Sequence, residues 1–180
     1  MNSIGLIEVK NVSKGIRITD EMLKCAGITL LQSGSVCPGK YVTVFGGDLS
    51  SIQAAAERAE RIADDALIDS FVIGNLGENV MSAMCATVPA FEKKALGIIE
   101  TFTAASAILA ADAAVKAAVV SLIEIRVARG MGGKCFVTMT GNVADVQAAV
   151  DAGAKLAAES GVLINTEVIA NPHPDLWETI

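Results

Sequence analysis

Four cysteines, one histidine and a scatter of carboxylates are the groups in this chain that could do chemistry. Cys25, Cys37, Cys85 and Cys135 form no CxxC pair, so in a reducing compartment they read as free thiols or metal ligands rather than disulfides. His173 lies between Pro172 and Pro174 and reads as an exposed loop residue with no ligand pattern around it. No GxSxG, HExxH, P-loop or GxGxxG stands after a strand. The glycine-rich run Gly130–Lys134 lacks the spacing of a Walker A motif and reads as a turn whose backbone needs positive φ. Glu8 and Glu100 recur at equivalent places in two strand-like segments. They read as solvated or hydrogen-bonded strand carboxylates, the other reading being that they face each other or an interface between subunits. No catalytic constellation emerges, and the expectation is a protein that is not an enzyme.

The elements that carry these residues come twice. Ile4–Val9 (IGLIEV) matches Leu96–Thr101 (LGIIET), and Asp20 and Lys24 match Asp112 and Lys116. Gly39-Lys40 matches Gly133-Lys134, and Gln53-Ala54-Ala55 matches Gln147-Ala148-Ala149. LIDSFVIGN from Leu67 matches LINTEVIAN from Leu163. The order never breaks, and the register slips only before Gly133 and in the second helix, where a duplication tolerates insertion.

Each half predicts a strand with alternating apolar positions, a helix (Thr19–Ala26; Thr103–Ala118), two strands around a glycine turn, a second helix and a last strand. The second helix starts after Asp48 or Asn142, both good N-cap types, and Ser50 with Gln53 fits a capping box. The order βαββαβ, repeated, predicts an α+β fold of two tandem ferredoxin-like domains with antiparallel sheets. Domains are expected at 1–88 and 94–180, joined by a segment containing Pro89.

Of the 180 residues, 52% are hydrophobic, 19% charged and only 4% aromatic. A disordered chain is excluded, and the core must be built from Ala, Val, Ile and Leu. The net charge of −6, without a basic block, argues against nucleic-acid and anionic-membrane surfaces. The N-terminal MNSIGLIEV lacks a signal-peptide pattern, and Ala104–Ala118 is too short and too charged to span a bilayer. A soluble, cytoplasmic protein is expected.

The GLIEV or GIIET strand, the DxxxK helix, the glycine turn, the Gly-Asp or Gly-Asn helix start and the closing VIxNPH resemble the bacterial microcompartment shell domain in both halves. The chain is similar to the tandem-domain, trimeric type. The resemblance implies a homotrimer with pseudo-sixfold symmetry that packs edge to edge with other shell proteins around metabolic enzymes. It assigns Ser35, Val36, Cys37, Pro38 and Gly39, with Gly130, Met131, Gly132 and Gly133, to the central pore. It assigns Lys24 and Lys116 to the tile edge. Many single-domain tiles carry Arg where this chain has Asn171 and Asn75, so edge packing is expected to differ.

On its residue type alone Cys37 reads as an unligated, partly exposed thiol. A closed trimer would gather three copies of it around one axis, and soft thiolates suit iron–sulfur clusters or zinc. The resemblance to iron–sulfur members of this type implies a [4Fe-4S] cluster shared by three subunits, with a fourth ligand from outside. That would permit electron transfer across the shell or to encapsulated redox enzymes. Cys135 is the other candidate ligand, with burial favoured, and Cys25 and Cys85 read as ordinary small apolar residues. The reading from another class is a trimeric ferredoxin-like module that binds a small regulatory ligand between subunits. A standalone electron carrier would need four cysteines close together, against the spacing here.

Overall fold

The computed structural model describes residues 3–180. The first pass of the chain runs β1 (Ile4–Val9), α1 (Val12–Cys25), β2 (Thr29–Val36), β3 (Lys40–Gly46), α2 (Leu49–Ala63) and β4 (Leu67–Ile73). A short helix, α3 (Val80–Met84), follows. The second pass runs β5 (Ala95–Thr101), α4 (Ala104–Ala117), β6 (Val120–Val127), β7 (Cys135–Gly141), α5 (Val143–Glu159) and β8 (Leu163–Ile169). Short 3-10 segments occupy Asp64–Ala66 and Pro174–Glu178.

Each pass builds one four-stranded sheet, in the orders β2-β3-β1-β4 and β6-β7-β5-β8, with every pairing antiparallel. This is the expected split-βαβ order: each helix carries the chain past one strand, so the first strand of each repeat ends in the middle. The two register slips also have structural sites. The turn between β6 and β7 is longer than that between β2 and β3, and α5 has 17 residues against 15 in α2.

Contacts divide the chain into two compact units that do not follow the repeat boundary. The first comprises Met1–Leu76, Thr103–Ala105 and Ala128–Gly133; the second comprises Gly77–Phe102, Ser106–Val127 and Lys134–Ile180.

In the first unit, α1 and α2 cover one face of the sheet. Ile7, Val9, Ile18, Met22, Phe45, Ile52 and the alanine face of α2 form its core. Helix α1 begins seven residues before the predicted Thr19. Its buried positions, Gly15, Ile18, Thr19 and Met22, keep helical spacing, but Gly15 is a poor helix former and masks the signal. Glycine is required there because the Tyr41 ring stands where a Cβ would be. Strand β1 also departs from expectation. All six of its residues are buried, Glu8 included, because a central strand covered on both faces reads as a continuous apolar run.

Asp48 caps α2 by accepting the Ser51 N–H at 3.0 Å, and its carboxylate also accepts the Ser50 and Ser51 hydroxyls. The predicted Ser50–Gln53 capping box does not form: Ser50 donates to the cap instead of being it. Those three donors hold the Asp48 carboxyl well below the usual carboxylate range. Gly5 leaves room for the Phe45 ring of β3 and for Ile52 of α2, since a Cβ there would sit 2.5 Å from that ring and 3.0 Å from Ile52 Cγ2.

In the second unit, Val146, Ala149, Val150, Gly153 and Ala157 form the buried face of α5. Gly97, at the place of Gly5, has Val146 and Val150 within 2.8 Å of its Cβ position. Trp177 packs against Phe91 with ring centroids 6.4 Å apart and joins Leu96 and Ile123 in a cluster. No described helix is long and apolar enough to cross a membrane.

Candidate functional site: the glycine turns around Cys37

The turn after β2 is shorter than expected. Ser35 and Val36 belong to the strand, and the turn itself is Cys37–Gly39, with a cis Cys37–Pro38 peptide bond. Gly39 has φ of 101° and its N–H donates to the Val36 carbonyl at 2.9 Å, closing the turn in a conformation that favours glycine. Residues 128–133 lie in the same compact unit. The Cys37 N–H donates to the Ala128 carbonyl at 2.8 Å. Gly133 has φ of 95°, and a Cβ there would stand 2.9 Å from Pro38 Cδ and 3.2 Å from the Cys37 carbonyl oxygen. Both backbone conformation and close approach therefore demand glycine.

The two turns line a depression of about 350 Å³ formed by Ser35–Gly39, Arg129 and Gly130. Gly130 and Gly132 have φ of 72° and 61°, and nothing lies within 4 Å of a Cβ built on them or on Gly39. Met131 is half-buried and Gly132 exposed on the same turn, outside the lining of the depression. Arg129 was missed by the sequence reading. Its adjacency to the glycine run was the available signal, because a cation inside a loop of glycines has few side chains to hide behind.

Cys37 is half-buried at this site. Cys135 opens β7 and is fully buried, while Cys25 and Cys85 are exposed rather than packed as small apolar residues. Both lie where a helix ends, so no second layer covers them. Among the described residues, no three Cys, His, Asp or Glu side chains of one chain come together to hold a metal. A single chain offers the Cys37 thiol alone, so an iron–sulfur cluster fits only where several copies bring their thiols together. His173 is exposed, its Nδ1 accepting the Asp175 N–H at 3.3 Å.

Behind the turn stands a buried charge pair. Glu8 is 0% exposed. Its Oε1 accepts from Lys40 Nζ at 2.5 Å and its Oε2 from the Ala104 N–H, the first residue of α4, at 2.8 Å. Beside it, the Thr103 hydroxyl donates to Asp69 at 2.7 Å. A carboxylate removed from water needs such partners. The pair ties Lys40, the residue after the Cys37 turn, to the central strand. Glu8 is thus a hydrogen-bonded strand residue and not a solvated one.

Lys24 and Lys116 hold equivalent positions in unequal surroundings. Lys24 pairs with exposed Asp20 at 2.5 Å, and that bond and charge raise its pKa. Lys116 pairs at 2.6 Å with the nearly buried Asp112, whose other oxygen accepts the Gly77 N–H at 2.7 Å.

The fold and the paired glycine turns define a tandem-repeat α+β protein whose recurrent features are structural, not catalytic. The model of the BMC domain family matches residues 3–76 and again 95–172, and the chain belongs to that family of bacterial microcompartment shell proteins. It is 39% identical over 175 residues to the bacterial microcompartment shell protein PduT of Citrobacter freundii, covering 97% of this chain and 95% of that one. Half of it, 85 residues, is 45% identical to the shell protein EutM of Salmonella typhimurium, covering 47% of this chain and 86% of EutM. Among solved structures it is similar to a microcompartment protein from Desulfitobacterium hafniense, with a TM-score of 0.89, 45% identity and 99% of each chain covered. The chain is therefore a structural shell protein rather than an enzyme, and nothing supports the small-ligand module as its alternative.

Proposed function

We propose that three copies of this chain close into a trimeric, pseudo-hexameric tile whose axis is lined by the Cys37 turn. The observation that carries this reading is the meeting of the two glycine turns, joined by the Cys37 N–H bond to Ala128. A single closed turn segment per chain thereby presents one half-buried thiol beside Gly39, Gly130 and Gly132, whose outer sides are open. Three such thiolates would hold a [4Fe-4S] cluster, with the fourth iron ligated from outside. The cluster would supply one-electron transfer across the shell, to or from encapsulated redox enzymes. Lys24 and Lys116, matched in both repeats, would serve the edges along which tiles meet other shell proteins.

Iron, acid-labile sulfide and the visible spectrum of anaerobically prepared wild type and Cys37→Ser test the reading, together with native mass spectrometry. One cluster per trimer, lost in the variant while the trimer persists, is expected. A trimer without iron after reconstitution removes the cluster and leaves a tile whose pore passes small metabolites.

A further inference from the structure

The two turns that meet at Cys37 differ in charge from the rest of the chain. Ser33–Lys40 and Ala128–Gly133 hold no Asp or Glu, in a chain whose net charge is −6. Their cations are Lys40 and Arg129. Lys40 is neutralised, because its ammonium is bound to the buried Glu8 carboxylate at 2.5 Å. Arg129 is not neutralised. It is exposed, and among the described residues its side chain makes no hydrogen bond or ion pair.

The backbone fixes that cation at the turn of the thiol. The Ala128 carbonyl accepts the Cys37 N–H at 2.8 Å, so Arg129 directly follows a residue bonded to the cysteine. Ala128 is 0% exposed and has φ of 45°, a left-handed conformation that a residue other than glycine keeps only where its surroundings hold it. Arg129 and Cys37 line the same depression of about 350 Å³. Gly39 and Gly130 border it without side chains, and nothing lies within 4 Å of a Cβ built on either. A cation on an open surface acts weakly through water and salt. In a concave site walled by protein its field is focused on whatever shares the site.

We infer that Arg129 sets the reduction potential of a cluster held by Cys37, with one guanidinium from each of three copies ringing the axis. The inference rests on the trimer and cluster proposed above, and deepens that reading by giving a tuning role to a residue that is not a ligand. Three thiolates on a core of charge two plus leave a singly negative group, and one added electron makes it doubly negative with no bond formed or broken. Cations beside it favour the more negative state by Coulomb attraction and so raise the potential. The guanidinium stays charged at every working pH and offers N–H donors that suit anionic sulfur. The electron comes from a low-potential one-electron donor: dithionite in the assay, a reduced flavin or iron–sulfur centre of an encapsulated enzyme in the shell.

The test is a redox titration of the reconstituted full chain, read by the visible spectrum and by the electron paramagnetic resonance signal of the reduced form. Wild type is compared with Arg129→Gln, Arg129→Lys and Arg129→Glu. Because the side chain is exposed and unbonded, the variants should match wild type in trimer mass and in iron and sulfide per trimer. At one applied potential, Arg129→Gln should move the ratio of reduced to oxidised form about tenfold towards oxidised, a fall of about 59 mV in a one-electron midpoint. Arg129→Glu should fall further, and Arg129→Lys, which keeps the charge, should lie closer to wild type than to Arg129→Gln. A midpoint unmoved in Arg129→Gln and Arg129→Glu, or an Arg129→Lys midpoint that falls with Arg129→Gln, overturns the role of Arg129 and leaves the cluster standing. A wild-type trimer that takes up no iron on reconstitution overturns both.

Discussion

Replacing Glu8 should cost more stability than any other single carboxylate change in the chain. Glu8→Ala removes the buried carboxylate paired with the Lys40 ammonium, whose side chain is only 14% exposed, and removes the acceptor for the Ala104 N–H. Breaking a buried pair from one side costs about 3–5 kcal/mol, against a total of roughly 5–15 kcal/mol for a folded domain. With an m value of about 2 kcal/mol per molar urea, that is a fall of about 1.5–2.5 M in the unfolding midpoint. The assay is urea unfolding at one fixed protein concentration, because assembly shifts apparent stability by mass action. Glu8→Gln keeps an acceptor for the helix and should cost about 1–3 kcal/mol. Lys40→Met leaves the carboxylate buried without its cation and should cost about as much as Glu8→Ala. The double variant Glu8→Gln with Lys40→Met should cost about 1–3 kcal/mol less than the sum of its singles, because the groups are in contact. Additive costs, or a Glu8→Ala penalty below about 1 kcal/mol, would refute the reasoning that this pair anchors the turn.

Other expectations concern close packing, pH and assembly. Gly97→Ala should destabilise by about 1–3 kcal/mol through overpacking, because its Cβ would lie 2.7 Å from Val146; an unchanged thermal midpoint would contradict the packing. The Asp48 carboxyl is depressed by its Ser50 and Ser51 donors, so its extra stabilisation is present above the ordinary Asp pKa of about 3.9 and is lost as pH falls through the lower folded value. Asp48→Asn should therefore flatten the acid limb of stability against pH, which parallel thermal melts below pH 5 would reveal. Lys24→Ala should leave the melting temperature nearly unchanged, since its partner Asp20 is exposed, yet impair ordered two-dimensional sheets seen by electron microscopy. Sheets formed as in wild type would remove Lys24 from the edge.

The repeat, the βαββαβ order and the family were legible because they depend on local pattern: apolar periodicity, glycine turns and N-cap residues that recur in order. Pattern also separated buried Cys135 from Cys37, since one opens a strand and the other sits in a Pro-Gly turn. It could not assign an environment to residues with the same pattern. Glu8 and Glu100 occupy matching strands, and Lys24 and Lys116 matching helices, yet one of each pair is bound into a buried network and the other is not. Val12 and Ala104 likewise begin equivalent helices, one exposed and one fully buried. That difference arises from contacts between residues nearly a hundred positions apart, such as Glu8 with Ala104 and Cys37 with Ala128. Periodicity reports which face of an element is apolar, and only the assembled chain decides what covers it.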